Sequence, residues 1–386
     1  MRKILLITVL LPLAAALAWW YLHERAFPDY GPAYREYAYV TNGKSNTVSV
    51  IDLRTYQPVK TISVGSEPTG LATNSRKNEI YVVNSGSNNV SIIDAEKNQV
   101  AATIGVHGKP YFIDVAADGK RAYVANSASA NVSVIDLEKR TVVGTVRVGG
   151  APGLARVALD GRTVVVSNRT DNSVSILDTT KMAVRATIPV CEHPEDIAIL
   201  PDSSKAFVAC TGTVQVASID LKADKVLALL EVGKTPVNLA LKPDGGELIV
   251  CNFDSDNISI IETTTNEVSG SYLIGTKPSR AVVSADNARL YVSNFGSNTV
   301  AVYDIDYGKL IAILPVGSAP DALALSMNQN YVLVLDSGSG DVTVMQKRKP
   351  TKLEPGEYSL LTMIPVGVQP NNIVVKSFLM TKPGAK

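Results

Sequence analysis

The chain has 386 residues, 46% hydrophobic and 19% charged, with a formal net charge of +1. So even a balance supplies no global field to draw it to nucleic acid or to anionic lipid, and the apolar fraction excludes a disordered chain. The three cysteines, Cys191, Cys210 and Cys251, are too few and odd in number for a disulfide framework, so at least one thiol is expected and stability is expected to come from packing and ring closure.

In chain order, Met1-Arg2-Lys3 precedes an uncharged, mostly apolar stretch from Ile4 to Leu22, the pattern of an export signal. Ala16-Leu17-Ala18 offers a cleavage site, whereas Trp19-Trp20-Tyr21 reads as the interfacial belt of a retained anchor. Either form predicts an exported, periplasmic or other extracytoplasmic protein, with membrane contact only through this segment. Residues 1–25 are therefore expected to be a signal peptide or anchor, 26–36 a linker, 37–378 a repeat domain and 379–386 a tail.

From Tyr37 onward three markers recur in one frame. The prolines Pro68, Pro110, Pro152, Pro194, Pro236, Pro278 and Pro320 stand 42 residues apart, each closing a Val/Ile-x-x-x-Pro corner. Tyr39-Val-Thr-Asn42 returns as Tyr81-Val-Val-Asn84, Tyr123-Val-Ala-Asn126 and Tyr291-Val-Ser-Asn294, with looser copies between and after. Ten residues past each Asn ends a run such as Val48 to Asp52 or Val90 to Asp94. A unit of this length holds four short strands that cannot bury their own faces, so neighbours must stack radially. Strand A follows the proline and turns at Asp-Gly (Asp118-Gly119, Asp160-Gly161, Asp244-Gly245), strand B is the Tyr-Val-x-Asn run, strand C ends at Asp, and strand D leads to the next corner. Dense β-branched residues in B to D predict strands packed on both faces.

An eighth corner, Val366-Gly367-Val368-Gln369-Pro370, arrives 50 residues after the seventh because Lys347 to Glu357 inserts a basic loop. The prediction is an all-β, single β-propeller of eight four-stranded antiparallel blades, with seven as the alternative. The chain starts at strand B and ends at strand A, so Asn371 to Lys376 is expected to complete the N-terminal blade as a clasp that removes the open sheet edges.

These Tyr-Val-x-Asn runs, Val-Gly-x-x-Pro corners and Asp-Gly turns resemble the YVTN β-propeller repeat family over residues 37 to 378. The resemblance implies an exported propeller of periplasmic or surface-layer type, with lactonase-like propellers and the haem-binding propeller of nitrite reductases as distant relatives. It also admits single-stranded nucleic acid, to which Tyr111, Phe253 and Phe295 lend little, and the charge balance argues against that partner.

A residue repeated in every blade serves the blade, so function is sought where blades differ. Antiparallel order puts the D-to-A corners and B-to-C loops at one end, around the channel mouth. Four residues after the proline, where other blades have small or apolar residues, stand Asp114 and Arg156, in equal register and so near one another, either as an inter-blade ion pair or facing a ligand. Two residues after it stand Phe112, Asp196, Asn238 and Arg280, and one after it Glu195 and Asp321. The aberrant corner Cys191-Glu192-His193-Pro194, with Cys210 replacing Asn in the next strand B, collects soft ligand types, but its spacing matches no zinc pattern, and the expectation is a surface His beside partly buried thiols with no metal.

No nucleophile elbow, carboxylate pair at a motif spacing or haem-attachment Cys-x-x-Cys-His is present. The expected function is a non-catalytic binding scaffold whose corner face takes an exported protein, a cell-envelope polymer or a small ligand, with no cofactor and no catalytic residues assigned. Alternatives are a lactonase-like hydrolase using Glu195, Asp196, Arg156, Arg280 and His193, and a redox-cofactor or metal-binding propeller relying on His107 and His193.

Overall fold

The computed structural model describes residues 31–349 and 356–380. The expected leader at 1–25, residues 26–30 of the expected linker, residues 350–355 of the inserted loop and residues 381–386 of the expected tail lie outside the described residues. Glu36–Lys376 forms one compact unit. A second holds, among the described residues, Gly31–Arg35 and Ser377–Met380, within which the Met380 amide donates to the Ala33 carbonyl at 2.8 Å.

Eight four-stranded antiparallel sheets form eight blades. Blade two is typical: strand A is Pro68–Thr73, B is Glu79–Asn84, C is Asn89–Asp94 and D is Gln99–Gly105. The register Pro68↔Asn84 and Asn84↔Asn89 brings the D-to-A corner and the B-to-C turn to the same end. Strands A of successive blades pack around the axis. The inter-blade cores join neighbours: Tyr81, Val83 and Ile92 of blade two pack with Ile113 and Val124 of blade three. Burial of such side chains is worth roughly 1.5–3 kcal/mol each, which is what holds one blade to the next. Strands B and C are buried as their β-branched sequences imply. Strand D is not: Gln99–Gly105 alternates half-buried and exposed residues, because the outermost strand of a radial blade has no neighbour close enough to cover both faces.

The corners are built from local chemistry. The residue before each corner proline has positive φ in all eight blades, from 46° at Ala151 to 55° at Gln369. A proline disfavours right-handed helical backbone in the preceding residue, and the left-handed region costs a residue with a Cβ about 1 kcal/mol. A hydrogen bond offsets that cost: the amides of Glu67, Lys109, His193 and Ala319 donate to the side chains of Asn46, Asn88, Asn172 and Asn298 in the B-to-C turns.

The Asp ending strand C bonds to backbone as expected for a turn, with Asp94 accepting from the Glu96 and Lys97 amides at 3.0 and 3.1 Å. The Asn ending strand B instead reaches across to strand C side chains. Asn84 Nδ2 donates to Asn89 Oδ1 and Ser91 Oγ, and Asn126 repeats this with Asn131 and Ser133.

Blade eight, with strands Pro320–Leu325, Tyr331–Asp336, Asp341–Lys347 and Tyr358–Pro365, replaces this Asn–Asn pair by Asp336 and Asp341. Asp336 is fully buried and accepts from Thr343 Oγ1 at 2.6 Å. Burial pushes its carboxyl up to about 7, opposed by Thr343 and reinforced by neighbouring Asp341. A folded value above the unfolded one means that folding takes up a proton, so stability falls as pH rises from about 4 to about 7 and is level beyond. Asp336→Asn restores a donor toward Asp341. It is expected to be more stable than the parent by roughly 1–3 kcal/mol at pH 8 and little different at pH 4. Urea melts at the two pH values test this; equal gains at both would remove the explanation from the buried Asp336 charge.

The clasp is present. Blade one runs in the order Gln57–Ser63, Thr47–Asp52, Tyr34–Asn42, Pro370–Leu379, so the C-terminal strand is its innermost member. Thr41 Oγ1 donates to Asn371 Oδ1 at 2.6 Å, the Gly43 amide to the Gln369 carbonyl at 2.9 Å and the Gly367 amide to Asn42 Oδ1 at 3.0 Å.

Candidate functional site

An axial cavity of about 830 Å³ opens at the corner end, lined mainly by residues one to four positions after the corner prolines, with Arg169 and Thr211 from just past the ends of strands B. Phe112, Asp114, Arg156, Glu195, Asp196, Asn238, Arg280 and Asp321 all line it. His193 does not: its ring is exposed at the corner, with Nδ1 2.9 Å from Thr211 Oγ1 and 4.0 Å from Glu195 Oε2.

Along blades three to six the lining groups satisfy one another. Asp114 and Arg156 are neighbours but form no ion pair within 4.0 Å. Asp114 Oδ2 accepts from the Val157 amide at 3.1 Å, while the Arg156 guanidinium lies 4.5 Å over the Phe112 ring. Strand A is the inner edge of its blade, so alternate amides face away from strand B; the Ala158 amide donates to the Thr163 carbonyl and the Val157 amide faces outward, where a carboxylate on the preceding blade meets it. Burial holds the Asp114 carboxyl above the usual range, with Arg156 opposing. The same device recurs twice. Asp196, 5% exposed, accepts from Asn238 Nδ2 and the Leu239 amide, both at 2.9 Å, and Asn238 Oδ1 accepts from the Ala281 amide at 2.8 Å. Near the mouth, Arg169 pairs with Glu195 at 3.4 Å and lies 4.4 Å over Tyr111. Burial, then the Glu195 charge, raises the Tyr111 hydroxyl, and Arg169 and Arg280 oppose the rise.

The remaining arc differs. Arg280 of blade seven, Asp321 of blade eight and Asn372 of blade one line the cavity on consecutive blades. Burial raises the Asp321 carboxyl and the Arg280 charge opposes the rise, although the two side chains form no ion pair within 4.0 Å. Arg169 and Asn372 were missed in the sequence. Arg169 directly follows the strand-B Asn, where other blades have Gly43, Ser85 or Thr211, so a register comparison of that column would have exposed it.

The aberrant corner of blade five is a covalent staple. Cys191 and Cys210 form a disulfide with Cα atoms 5.7 Å apart, which corrects the expectation of two thiols, and Cys251 alone is a buried thiol, its pKa pushed up to about 12 by burial. The reason lies in the repeat. At ordinary corners a Cβ on Gly65 or Gly149 would come within 2.7 Å of the side chain of Asn84 or Asn168, and the Gly149 amide donates to Asn168 Oδ1 at 3.1 Å. Cysteines in those two touching positions meet. Among the described residues no cluster of three or more His, Cys, Asp or Glu is placed to hold a metal ion. His107 is exposed against Thr145 and, like His193, stands outside the cavity lining, so these residues do not fit axial ligation of a haem-type group there.

A family model described as YNCE-like β-propeller matches residues 6–156 and 150–243, and one described as lactonase, seven-bladed β-propeller, matches residues 261–365. No curated protein matches the sequence. Among solved structures, the dihydro-haem d1 dehydrogenase NirN in complex with DHE aligns with TM-score 0.72 at 14% identity, covering 88% of this chain and 74% of that one. Hydrazine synthase of Kuenenia stuttgartiensis aligns with TM-score 0.60 at 20% identity, covering 72% of this chain and 95% of that one. At these identities the likeness is one of fold.

Proposed function

The chain belongs to the YNCE-like β-propeller family, and on that premise we propose that it is an extracytoplasmic, non-catalytic binding propeller that takes a small polar ligand, or the polar end of a partner, into the corner-end mouth of its axial cavity. The observation that carries this reading is the coincidence of the blade-specific polar residues with a cavity large enough for a small ligand. Export is supported by the Cys191–Cys210 disulfide, since such bonds persist in oxidising compartments, and by the Ile4 to Leu22 segment. Membrane contact is assigned to that segment alone.

A lactonase-like hydrolase on the same face is the second reading, favoured by the match over residues 261–365, which include Arg280 and Asp321. Binding is preferred because Glu195 and Asp196, the carboxylates expected to serve a hydrolase, are tied to Arg169 and to the Leu239 amide, and a general base must be free to take a proton.

Native mass spectrometry of the full chain, purified from its own compartment, tests the reading against Ala322→Trp, which fills the cavity wall. A non-covalent mass on the parent that the variant loses is expected. Identical partners and masses for both would sink it, and turnover of ring esters abolished by Asp321→Asn would transfer the site to the hydrolase reading.

A further inference from the structure

The axial cavity is polar around most of its rim, yet its two arcs are not equivalent. On blades three to six the charges are consumed internally: Arg156 by the Phe112 ring, Arg169 by Tyr111 and Glu195, and Asp196 by Asn238. Arg280, Asp321 and Asn372, on blades seven, eight and one, have no side-chain hydrogen bond and no ion pair among the described residues. Their columns vary from blade to blade: the position of Arg280 holds Gly70 in blade two and Ala322 in blade eight and is a cation in blade seven alone, and that of Asp321 holds Gly153 in blade four and Val237 in blade six, with Glu195 of blade five its one acidic counterpart. A half-buried carboxyl without a hydrogen bond, as at Asp321, is costly unless something completes it, and the exposed Arg280 guanidinium keeps its donors open to solvent and so to a ligand.

Resting on the reading of this cavity as a binding site, we infer that the open arc is a receptor for a small zwitterion carrying one carboxylate and one ammonium group. The carboxylate docks on Arg280, whose planar fork suits it, the ammonium docks on Asp321, and Asn372, which both donates and accepts, meets a neighbouring polar group of the ligand. The pairing of opposite charges on adjacent blades sets the class: a simple anion would leave Asp321 repelling it, and a simple cation would meet Arg280. Both residues line the same cavity of about 830 Å³ without an ion pair between them, and the Arg280 charge already acts on the Asp321 carboxyl.

Isothermal titration calorimetry on the full chain tests this with β-alanine, L-alanine, 5-aminovalerate and L-alanyl-L-alanine against the half-probes propionate and propylammonium. At least one zwitterion is expected to bind ten-fold or more tightly than either half, and Arg280→Gln and Asp321→Asn are each expected to weaken it at least ten-fold with unchanged thermal melts. Neither side chain holds a structural bond, so both variants are expected to fold. The inference is overturned if no zwitterion binds, if propionate binds as well, or if Asp321→Asn leaves the preferred zwitterion unaffected. An axial mass lost in Ala322→Trp together with failure of every zwitterion would discard the ligand class and keep the binding cavity; absence of both would discard the two together.

Discussion

A chain truncated after Val368 is expected to lose cooperative folding, with a melting temperature lowered by roughly 10 °C or more or no soluble product at all. Removing Gln369 onward takes away the innermost strand of blade one. The amide of Gly43 loses the Gln369 carbonyl, Thr41 loses Asn371, and Asn371 no longer donates to the Pro68 carbonyl at 2.8 Å on blade two. The exposed edge of Tyr34–Asn42 then offers unpaired backbone to any other chain. Strands A also form the axial packing, so one missing A strand opens a ring in which each blade is held mainly by its neighbours. A point variant keeps the test readable if the truncation is insoluble. Ile373 is 5% exposed, and Ile373→Asp buries a charge in the innermost strand of blade one, at a cost of about 3 kcal/mol. A melt unchanged in both variants would show that the clasp contributes nothing to ring closure.

Reduction of the disulfide, or the pair Cys191→Ala with Cys210→Ala, is expected to cost about 3 kcal/mol, because the bond closes a loop between residues 19 apart in sequence and so restricts the unfolded chain. The contrast with a second pair separates that effect from local packing. Cys191→Gly with Cys210→Asn rebuilds the arrangement in which the corner amide donates to the Asn side chain, as Gly149 does to Asn168, and is expected to recover about 1 kcal/mol of the loss. Chemical denaturation of the three proteins, with and without reductant, checks both expectations. Reductant should shift only the parent; a parent insensitive to it would remove the staple from the stability of blade five.

Where sequence reasoning succeeded, repetition did the work. A 42-residue period states each structural instruction eight times, so one degraded copy such as Leu333-Val-Leu-Asp336 is rescued by its register, and the C-terminal Asn371 to Lys376 is recognisable as strand A because seven other strands A precede it. The antiparallel order of the blade then follows, and with it the face on which the departures from the repeat gather. Asp114 and Arg156 show where this stops. Equal register correctly made them neighbours, but an ion pair was one of two arrangements open to them, and the inner-edge strand supplied a backbone amide that the carboxylate meets instead. Cys191 and Cys210 lay in two columns whose contact the linear sequence does not display, and Arg169 in a third whose neighbours across the channel belong to other blades.

The fold class, the blade count, the closure of the ring and the polar character of the corner face were all legible in the residues alone, because each depends on local periodicity and on which face of a strand a residue occupies. The disulfide, the satisfied arc of blades three to six and the open arc of Arg280, Asp321 and Asn372 were settled by the assembled ring. Those depend on side-chain orientations and on distances within a blade and between neighbouring blades, where a shift of an ångström separates a hydrogen bond from an unpaired charge.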